Sequence, residues 1–364
     1  MSVFVSSAVC LGLAEWYYRE NTPHVVGPDT RGPKGETEGS TSAYFTTTLK
    51  GRRLIPNTHV LIRNEDQTGY DVRIDINSHG FRGEEFPAAK PADEIRILAL
   101  GDSITMDNSH PEELTYTKLL ENHLDAAMED RRVRVVNAGV DGIGLRDELD
   151  ILEEQGLAIS PDLVTVGFYL NDSRPPDRFA RLLANPGWLR QRSVLASVLH
   201  RSWMVRKWRR GEAAKGRTYE WLSMPIPKDW STNRDSFLEY AYAARHDWGA
   251  AWQPKSWEIV ERQFSRLRAH AAAHGFDVLM AAFPVAFQVN ADYVEDYPQR
   301  RLAALCEQSS FPFLDLLPVL RTHRDKDLFF DHCHYNEEGN EVIAEALARF
   351  IRAEFTGNWR AFSP

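Results

Sequence analysis

The stretch Gly101-Asp102-Ser103 places a serine hydroxyl directly after the apolar residues Ile95, Ile97, Leu98, Ala99 and Leu100. A serine hydroxyl is a poor nucleophile near neutral pH and needs a base within hydrogen-bond reach, itself oriented by a carboxylate. Asp331-His332-Cys333-His334, near the other end of the chain, carries both kinds of group. The charge that gathers on a carbonyl oxygen under attack also needs preorganised donors, worth about 2.7–4 kcal/mol each. The backbone N–H groups of Ser103 and Gly139 and the side-chain amide of Asn171 are three candidates. These residue types, brought to one place, would perform acyl transfer through a serine. Read alone, Gly101-Asp102-Ser103 is equally a turn followed by a helix N-cap.

The elements around these residues can bring them together. Ile95 to Leu100 is a nearly continuous apolar run, as expected of a strand buried on both faces of a parallel sheet. Pro111 to Asp130 reads as a helix, Arg132 to Val136 as a strand ending at Asn137-Ala138-Gly139, and Leu145 to Gln155 as a helix closed by Gly156. Leu163 to Leu170 is the next strand, ending at Asn171-Asp172. Further on come a helix over Trp257 to His274, strands over Val278 to Ala286 and Phe313 to Leu316, and a last helix over Asn340 to Phe355. Alternating strands and helices predict a parallel sheet covered on both faces, and open sheets of this kind carry their chemistry at the carboxyl ends of the strands. Ser103, Gly139 and Asn171 each follow or close such a strand. Before them, Val60 to Ile62 and Asp71 to Ile76 read as a small β element that turns at Asn77-Ser78-His79-Gly80.

Four blocks in order resemble the SGNH, or GDSL-type, hydrolase family. They are Gly101-Asp102-Ser103, the Asn-Ala-Gly block ending at Gly139, Gly167 with Asn171-Asp172, and Asp331-x-x-His334. The resemblance covers Ile95 to Phe355 except for an insertion from Arg174 to Trp257. Asn77 to Gly83 is similar to a lead-in of a bacterial subset with N-terminal anchors. Ile104 departs mildly from the pattern, standing where leucine is commonest. The resemblance implies a flavodoxin-like three-layer α/β/α sandwich, with Ser103 as nucleophile, His334 as base, Asp331 as its orienter, and Ser103, Gly139 and Asn171 as the oxyanion hole. It implies no cofactor and no metal. His332 with His334 has metal-ligand chemistry, but no further ligand is apparent and the triad already uses His334. Asp102 and Asp172 read as structural, His332 and Cys333 as packing residues facing away from the pocket, and His79 and His110 as turn or surface residues.

The chain therefore divides into residues 1–20, 21–93 as linker and β lead-in, and a hydrolase domain over 94–356 with an insertion at 174–256. A net charge of −9 over 364 residues argues against a nucleic-acid partner, and three cysteines cannot build a disulfide framework. Val3 to Leu13 is apolar but shorter than the roughly 20 residues a membrane span needs. It reads either as a shortened anchor with Trp16, Tyr17 and Tyr18 at the interface or as a helix packed on the domain. Arg174 to Arg217 holds twelve Lys/Arg and two Asp/Glu. A basic, tryptophan-bearing helix of this kind can lie on an anionic membrane surface, and the alternative is an insertion packed beside the site with a solvated face. These features tilt the localisation towards the cell envelope, membrane-associated or periplasmic, over the cytoplasm. The function expected is a serine ester hydrolase acting on a small-molecule or glycan ester, with O-acylated envelope glycan or lipid as substrate classes. An O-acyltransferase using the same triad is the alternative, and an inactive binding protein of the same fold a third reading.

Overall fold

The structure is a computed structural model that describes residues 10–14, 16–17, 36–38, 44–48, 51–63, 65, 67–128, 131–174, 195–196, 199 and 227–355. Two units make up the chain. One consists of Pro33–Thr46, Arg52–Pro176 and Tyr219–Pro364 and contains every candidate site residue. The other consists of Met1–Gly32, Thr47–Gly51 and Asp177–Thr218. In it, residues 10–14 and 16–17 are helical, and Leu11, Leu13, Trp16 and Tyr17 are exposed. Among the described residues no helix is long and apolar enough to cross a membrane. Most of the arm expected over Asn21 to Thr48 lies outside the described residues. So does the basic stretch from Arg174 to Arg217, apart from residues 174, 195–196 and 199.

The small β element pairs β1 (Thr58–Ile62) antiparallel with β2 (Val72–Ile76). The main sheet has five parallel strands: β3 (Glu94–Gly101), β4 (Arg132–Gly139), β5 (Leu163–Tyr169), β6 (Asp277–Phe283) and β7 (Phe313–Asp315). Their order across the sheet is β7-β6-β5-β3-β4. This is the flavodoxin-like doubly wound order, whose switch point lies between β3 and β5. All residues of β3 and β5 are buried, which explains why their sequences run apolar instead of alternating.

Helices cover both faces. α1 (Ser103–Met106) follows β3 at once, and α2 (Tyr116–Asp125) leads towards β4. α3 (Leu145–Glu154) lies between β4 and β5. Later in the chain come α4 (Arg234–Ala243), α5 (Trp257–His274), α6 (Tyr297–Ser309), α7 (Leu316–Arg321) and α8 (Glu337–Glu354). α8 packs on α2 and α7, and α5 packs on α3 and α6. These are the two outer layers of an α/β/α sandwich.

Several boundaries differ from the sequence expectation. The helix expected from Pro111 begins as a 3₁₀ turn over Glu112–Leu114, and α2 starts only after Thr115, whose hydroxyl accepts the Lys118 N–H at 3.3 Å. β4 runs on through Asn137-Ala138-Gly139, because these residues continue the parallel register opposite Ala99-Leu100-Gly101. β5 stops at Tyr169, and Asn171 sits in a 3₁₀ turn over Leu170–Ser173. The last residues of the expected insertion are built into the core. Trp248 is fully buried and meets Phe237, Tyr240, Trp252 and Phe287 at ring-centroid distances of 5.2–6.3 Å between members of the group. This cluster belongs to the same unit as the sheet.

Candidate active site

The fully buried Asp102 ends the serine strand, and its Oδ1 accepts the Ile104 N–H at 3.0 Å, capping α1. The Ser103 N–H, as the first amide of this turn, has no carbonyl partner within it. α1 lies directly on the sheet. A Cβ on Gly101 would sit 2.0 Å from Thr105 Oγ1, and a Cβ on Gly139 would sit 2.2 Å from Met106 N. Asn137 bonds both partners of this contact, donating from Nδ2 to Thr105 O at 2.7 Å and accepting the Gly139 N–H on Oδ1 at 3.0 Å. At the other end of α1, Arg82 of the lead-in donates to the carbonyls of Met106 and Asp107, and to His110 O at 2.7 Å. Asn77 Oδ1 shapes that lead-in by accepting the His79 and Phe81 N–H groups, both at 3.1 Å.

Ser103, Asp331 and His334 come together. His334 Nε2 is 2.9 Å from Ser103 Oγ, and His334 Nδ1 is 2.8 Å from Asp331 Oδ2. Asp331 Oδ1 accepts the N–H groups of Cys333 and His334, each at 2.8 Å. Burial alone would raise the Asp331 carboxyl, but the His334 ring and the two amides hold it well below the usual carboxylate range. Burial disfavours a charge on His334, yet its pKa is raised above the usual histidine range by the Cys333 sulfur and the Asp331 carboxylate beside the ring. Burial pushes the neighbouring Cys333 thiol up to about 12, so the thiol is neutral while His334 titrates, and the Asp331 carboxylate is what sustains the imidazolium.

Asn171 reaches the residue before the serine. Its Nδ2 donates to Asp102 Oδ2 at 3.0 Å, which orients the amide and leaves its second hydrogen uncommitted. Asp102 thus braces the serine loop and the asparagine together. Asp172 is structural, as expected, with Oδ2 accepting the Tyr169 N–H at 2.8 Å.

Gly139 does not fit the role expected of it. Its N–H is already taken by Asn137, and its glycine identity is explained by the backbone of Met106 lying against it. The loop beyond it holds a better donor. Gly142 has φ of +68°, and among the described residues its N–H has no partner. That loop is fixed by Arg52 Nη1 donating to Asp141 O at 2.7 Å and by Asn108 Nδ2 at 3.3 Å from Asp141 Oδ2. Arg174, at the end of the Asn171 turn, donates to Gly142 O at 2.8 Å. The second glycine of Gly139-Val140-Asp141-Gly142, a turn signal after a strand, was the available clue.

Three other expectations change. Cys333 does not face away: its Sγ lies 3.5 Å from His334 Nδ1. His332 is also at the site, with Nδ1 3.8 Å from Asp331 Oδ1, and burial lowers it to about 4, so it is neutral there. His110 is fully buried, bonded to Asp107 Oδ1 at 2.8 Å and in tilted ring contact at 5.3 Å with Phe330, whose N–H donates to His334 O. It links the serine segment to the histidine loop. His79 is a turn residue, with Nε2 2.8 Å from Phe86 O. Asp331, His332 and Cys333 bring possible metal-ligand atoms within 4.8 Å of one another. The set suits a metal poorly, because Asp331 is committed to His334 and the thiol resists ionisation. A cleft of about 390 Å³ next to Asp331 is lined by Asn290, Arg324, Lys326, Asp327 and Phe329.

A family model, GDSL-like Lipase/Acylhydrolase, matches residues 99–342, a span that includes Ser103, Asn171, Asp331 and His334. The chain belongs to the GDSL-like lipase/acylhydrolase family. This GDSL-family protein is an enzyme that hydrolyses ester bonds. Among solved structures it is similar to LAE5, an alpha/beta hydrolase enzyme from the metagenome of Lake Arreo, Spain, at 17% identity and a TM-score of 0.41, covering 70% of this chain and 94% of that one. It is also similar to Axe2, an acetylxylan esterase from Geobacillus stearothermophilus, at 17% identity and a TM-score of 0.41, covering 71% and 94%. A member of the lipolytic protein G-D-S-L family from Veillonella parvula is similar at 14% identity and a TM-score of 0.38, covering 72% and 98%. No curated protein matches.

The two glycines of this GDSL-family chain separate in stability. Gly139→Ala drives a methyl into backbone and is expected to cost about 1–3 kcal/mol or more. In Gly142→Ala the methyl meets the end of the Arg52 side chain at 2.7 Å, leaving chiefly the left-handed backbone cost of about 1–2 kcal/mol. Urea denaturation of both variants measures the difference, and equal midpoints would contradict the packing role of Gly139.

Proposed function

We propose that the protein cleaves carboxylic esters through an acyl-Ser103 intermediate. The observation that carries this reading is the unbroken chain Ser103 Oγ–His334 Nε2 at 2.9 Å and His334 Nδ1–Asp331 Oδ2 at 2.8 Å. His334 Nε2 takes the Ser103 proton as Oγ attacks the ester carbonyl carbon. The oxyanion is received by the N–H groups of Ser103 and Gly142 and by the second hydrogen of Asn171 Nδ2. Collapse of the tetrahedral intermediate breaks the bond to the alcohol, which leaves with the proton from His334. Water then repeats the sequence on the acyl enzyme and frees the acid. Asp331 remains ionised throughout and stabilises the imidazolium.

For the substrate we propose an O-acylated glycan. The amide and charged side chains that make up most of the cleft beside Asp331, with Ala286, Val289, Leu328 and Phe329 as its apolar part, favour a hydroxylated leaving group over a long lipid chain. Replacing Ser103 by Ala is expected to lower hydrolysis of a short p-nitrophenyl ester on the order of 10⁶-fold while the fold survives. Full activity in that variant would refute the acyl-serine reading. Mass spectrometry of an O-acetylated polysaccharide incubated with the enzyme should show loss of acetyl mass. Gain of acetyl mass on an acceptor glycan would assign transfer instead.

The raised pKa of His334 sets a pH dependence. The base must be neutral, so kcat/KM should rise through an apparent pKa above the usual histidine range and fall on acidification. Asp331→Asn removes the carboxylate that favours the imidazolium. Its acid limb should therefore move to lower pH, with kcat down on the order of 10⁴-fold. An unmoved limb would show that another group titrates.

We further propose that residues 1–20 and 174–217 contact an anionic membrane surface. This is supported by the exposure of Leu11, Leu13, Trp16 and Tyr17 and by the basic composition of the second segment. The full chain should sediment with phosphatidylglycerol vesicles and be released by salt. Failure to sediment at low salt would exclude this contact.

A further inference from the structure

Beneath the Asn171 turn lie three carboxyl groups, Asp102, Glu148 and Asp172, each no more than 2% exposed. Asp102 has a donor for each oxygen, from Ile104 N and Asn171 Nδ2. Asp172 Oδ2 has the Tyr169 N–H. Asp172 Oδ1 and both Glu148 oxygens have no donor among the described residues, although the two side chains lie within hydrogen-bond reach of each other.

Carboxylates are acceptors only, so two of them in contact cannot bond unless a hydrogen lies between them. The charged and titratable groups facing the pair supply no buried cation. Asp147 is on the same helix, Asp102 closes β3, and Tyr116 comes from α2. Arg174 is half-buried, donates to Gly142 O and only partly offsets the effect of burial on Asp172, while Arg266 of α5 is committed to Asp150 and Glu153. Burial raises both Glu148 and Asp172 well above the usual carboxylate range, and the neighbouring Asp102 adds to it.

We propose that Glu148 and Asp172 share one resident proton, and that this bond, by joining α3 to the 3₁₀ turn of Leu170–Ser173, positions Asn171 for the oxyanion. The assignment of a positioning role rests on Asn171 being an oxyanion donor, as proposed above. The bond also steadies the Gly142 loop. α3 begins just after Gly144, where a Cβ would lie 3.6 Å from both Asp172 Cα and Oδ1. Loss of the proton would leave two carboxylates repelling each other beside a third.

The proton is read directly by infrared spectroscopy of the full chain carrying Ser103→Ala, without substrate. A protonated-carboxyl C=O band is expected at neutral pH, and adding Glu148→Gln should abolish it. Absence of the band, or its survival in the double variant, overturns the shared proton whatever the fate of the acyl-serine reading. In the chain with Ser103 intact, Glu148→Leu should lower kcat for a short ester by about 10-fold or more, towards the effect of losing one oxyanion donor, with KM within a few-fold. Glu148→Gln, whose amide can donate to Asp172 without a titratable proton, should restore kcat. A folded Glu148→Leu with wild-type kcat overturns the positioning role. Where Glu148→Leu does not fold, the band and its loss in Glu148→Gln decide.

Discussion

The approach of the serine turn to the strand ends is the constraint on which the rest of the site depends. Thr105 and Met106 lie so close to β3 and β4 that no side chain fits at Gly101 or Gly139. Gly167 on β5 is nearly as tight, with a Cβ 3.0 Å from Thr105 Oγ1. Three strands adjacent in the sheet therefore carry glycine at the same register, Gly101 opposite both Gly139 and Gly167. A turn held this closely cannot slide, because backbone meets backbone. Polar bonds then fix its direction: Asn137 from the sheet, Arg82 from the lead-in, and Tyr116 OH at 2.8 Å from Thr105 Oγ1. The hydroxyl of Ser103 inherits its position from these contacts, and His334 meets it there.

Two sets of carboxyl groups around the turn have opposite electrostatic settings. Asp331 is only half-buried and has three hydrogen bonds on its two oxygens, from two backbone amides and the His334 imidazole. That environment favours the ionised form and so the imidazolium partner. Glu148 is fully buried and, among the described residues, has no donor to its side chain. The contrast follows from position in the fold. Asp331 is in a loop whose backbone amides point back at it, whereas Glu148 is one turn into α3, where the amides are already used by the helix. The same residue chemistry thus gives a fully ionised orienting anion on one side of the serine and, on the proposal above, a clamp held by a shared proton on the other.

Much of this was legible in the chain itself. Ile95–Leu100 and Leu163–Leu170 read as strands of a parallel sheet because burial on both faces removes the polar alternation. Ser103, Asn171, Asp331 and His334 stand at strand ends or loop starts, where turn-forming residues mark them. Gly139 misled because glycine identity does not distinguish a position where backbone must pack closely from one where an N–H must be presented. Only the Asn137–Gly139 hydrogen bond and the left-handed φ of Gly142 separate the two. His110 looked like a surface residue because its partners, Asp107, Phe330 and Asn340, include residues more than 200 positions away. Glu148 was invisible for a related reason: an acidic residue in the first turns of a helix normally faces water and complements the helix dipole.

The end of the insertion shows the same limit at a larger scale. Composition around Arg174 to Trp257 is dominated by its basic stretch, and the break in strand–helix alternation reads as something added to the domain. Yet Phe237, Tyr240, Trp248 and Trp252 are buried, and the turn over Trp248–Trp252 packs against the 3₁₀ turn that carries Asn171. Asp247, at the start of that aromatic turn, is only 6% exposed and is felt electrostatically by both Asp331 and His334. Removing this segment would therefore strip apolar cover from the asparagine turn as well as alter the rim of the site. It functions as part of the wall of the hydrolase, and only its contacts, not its composition, disclose that.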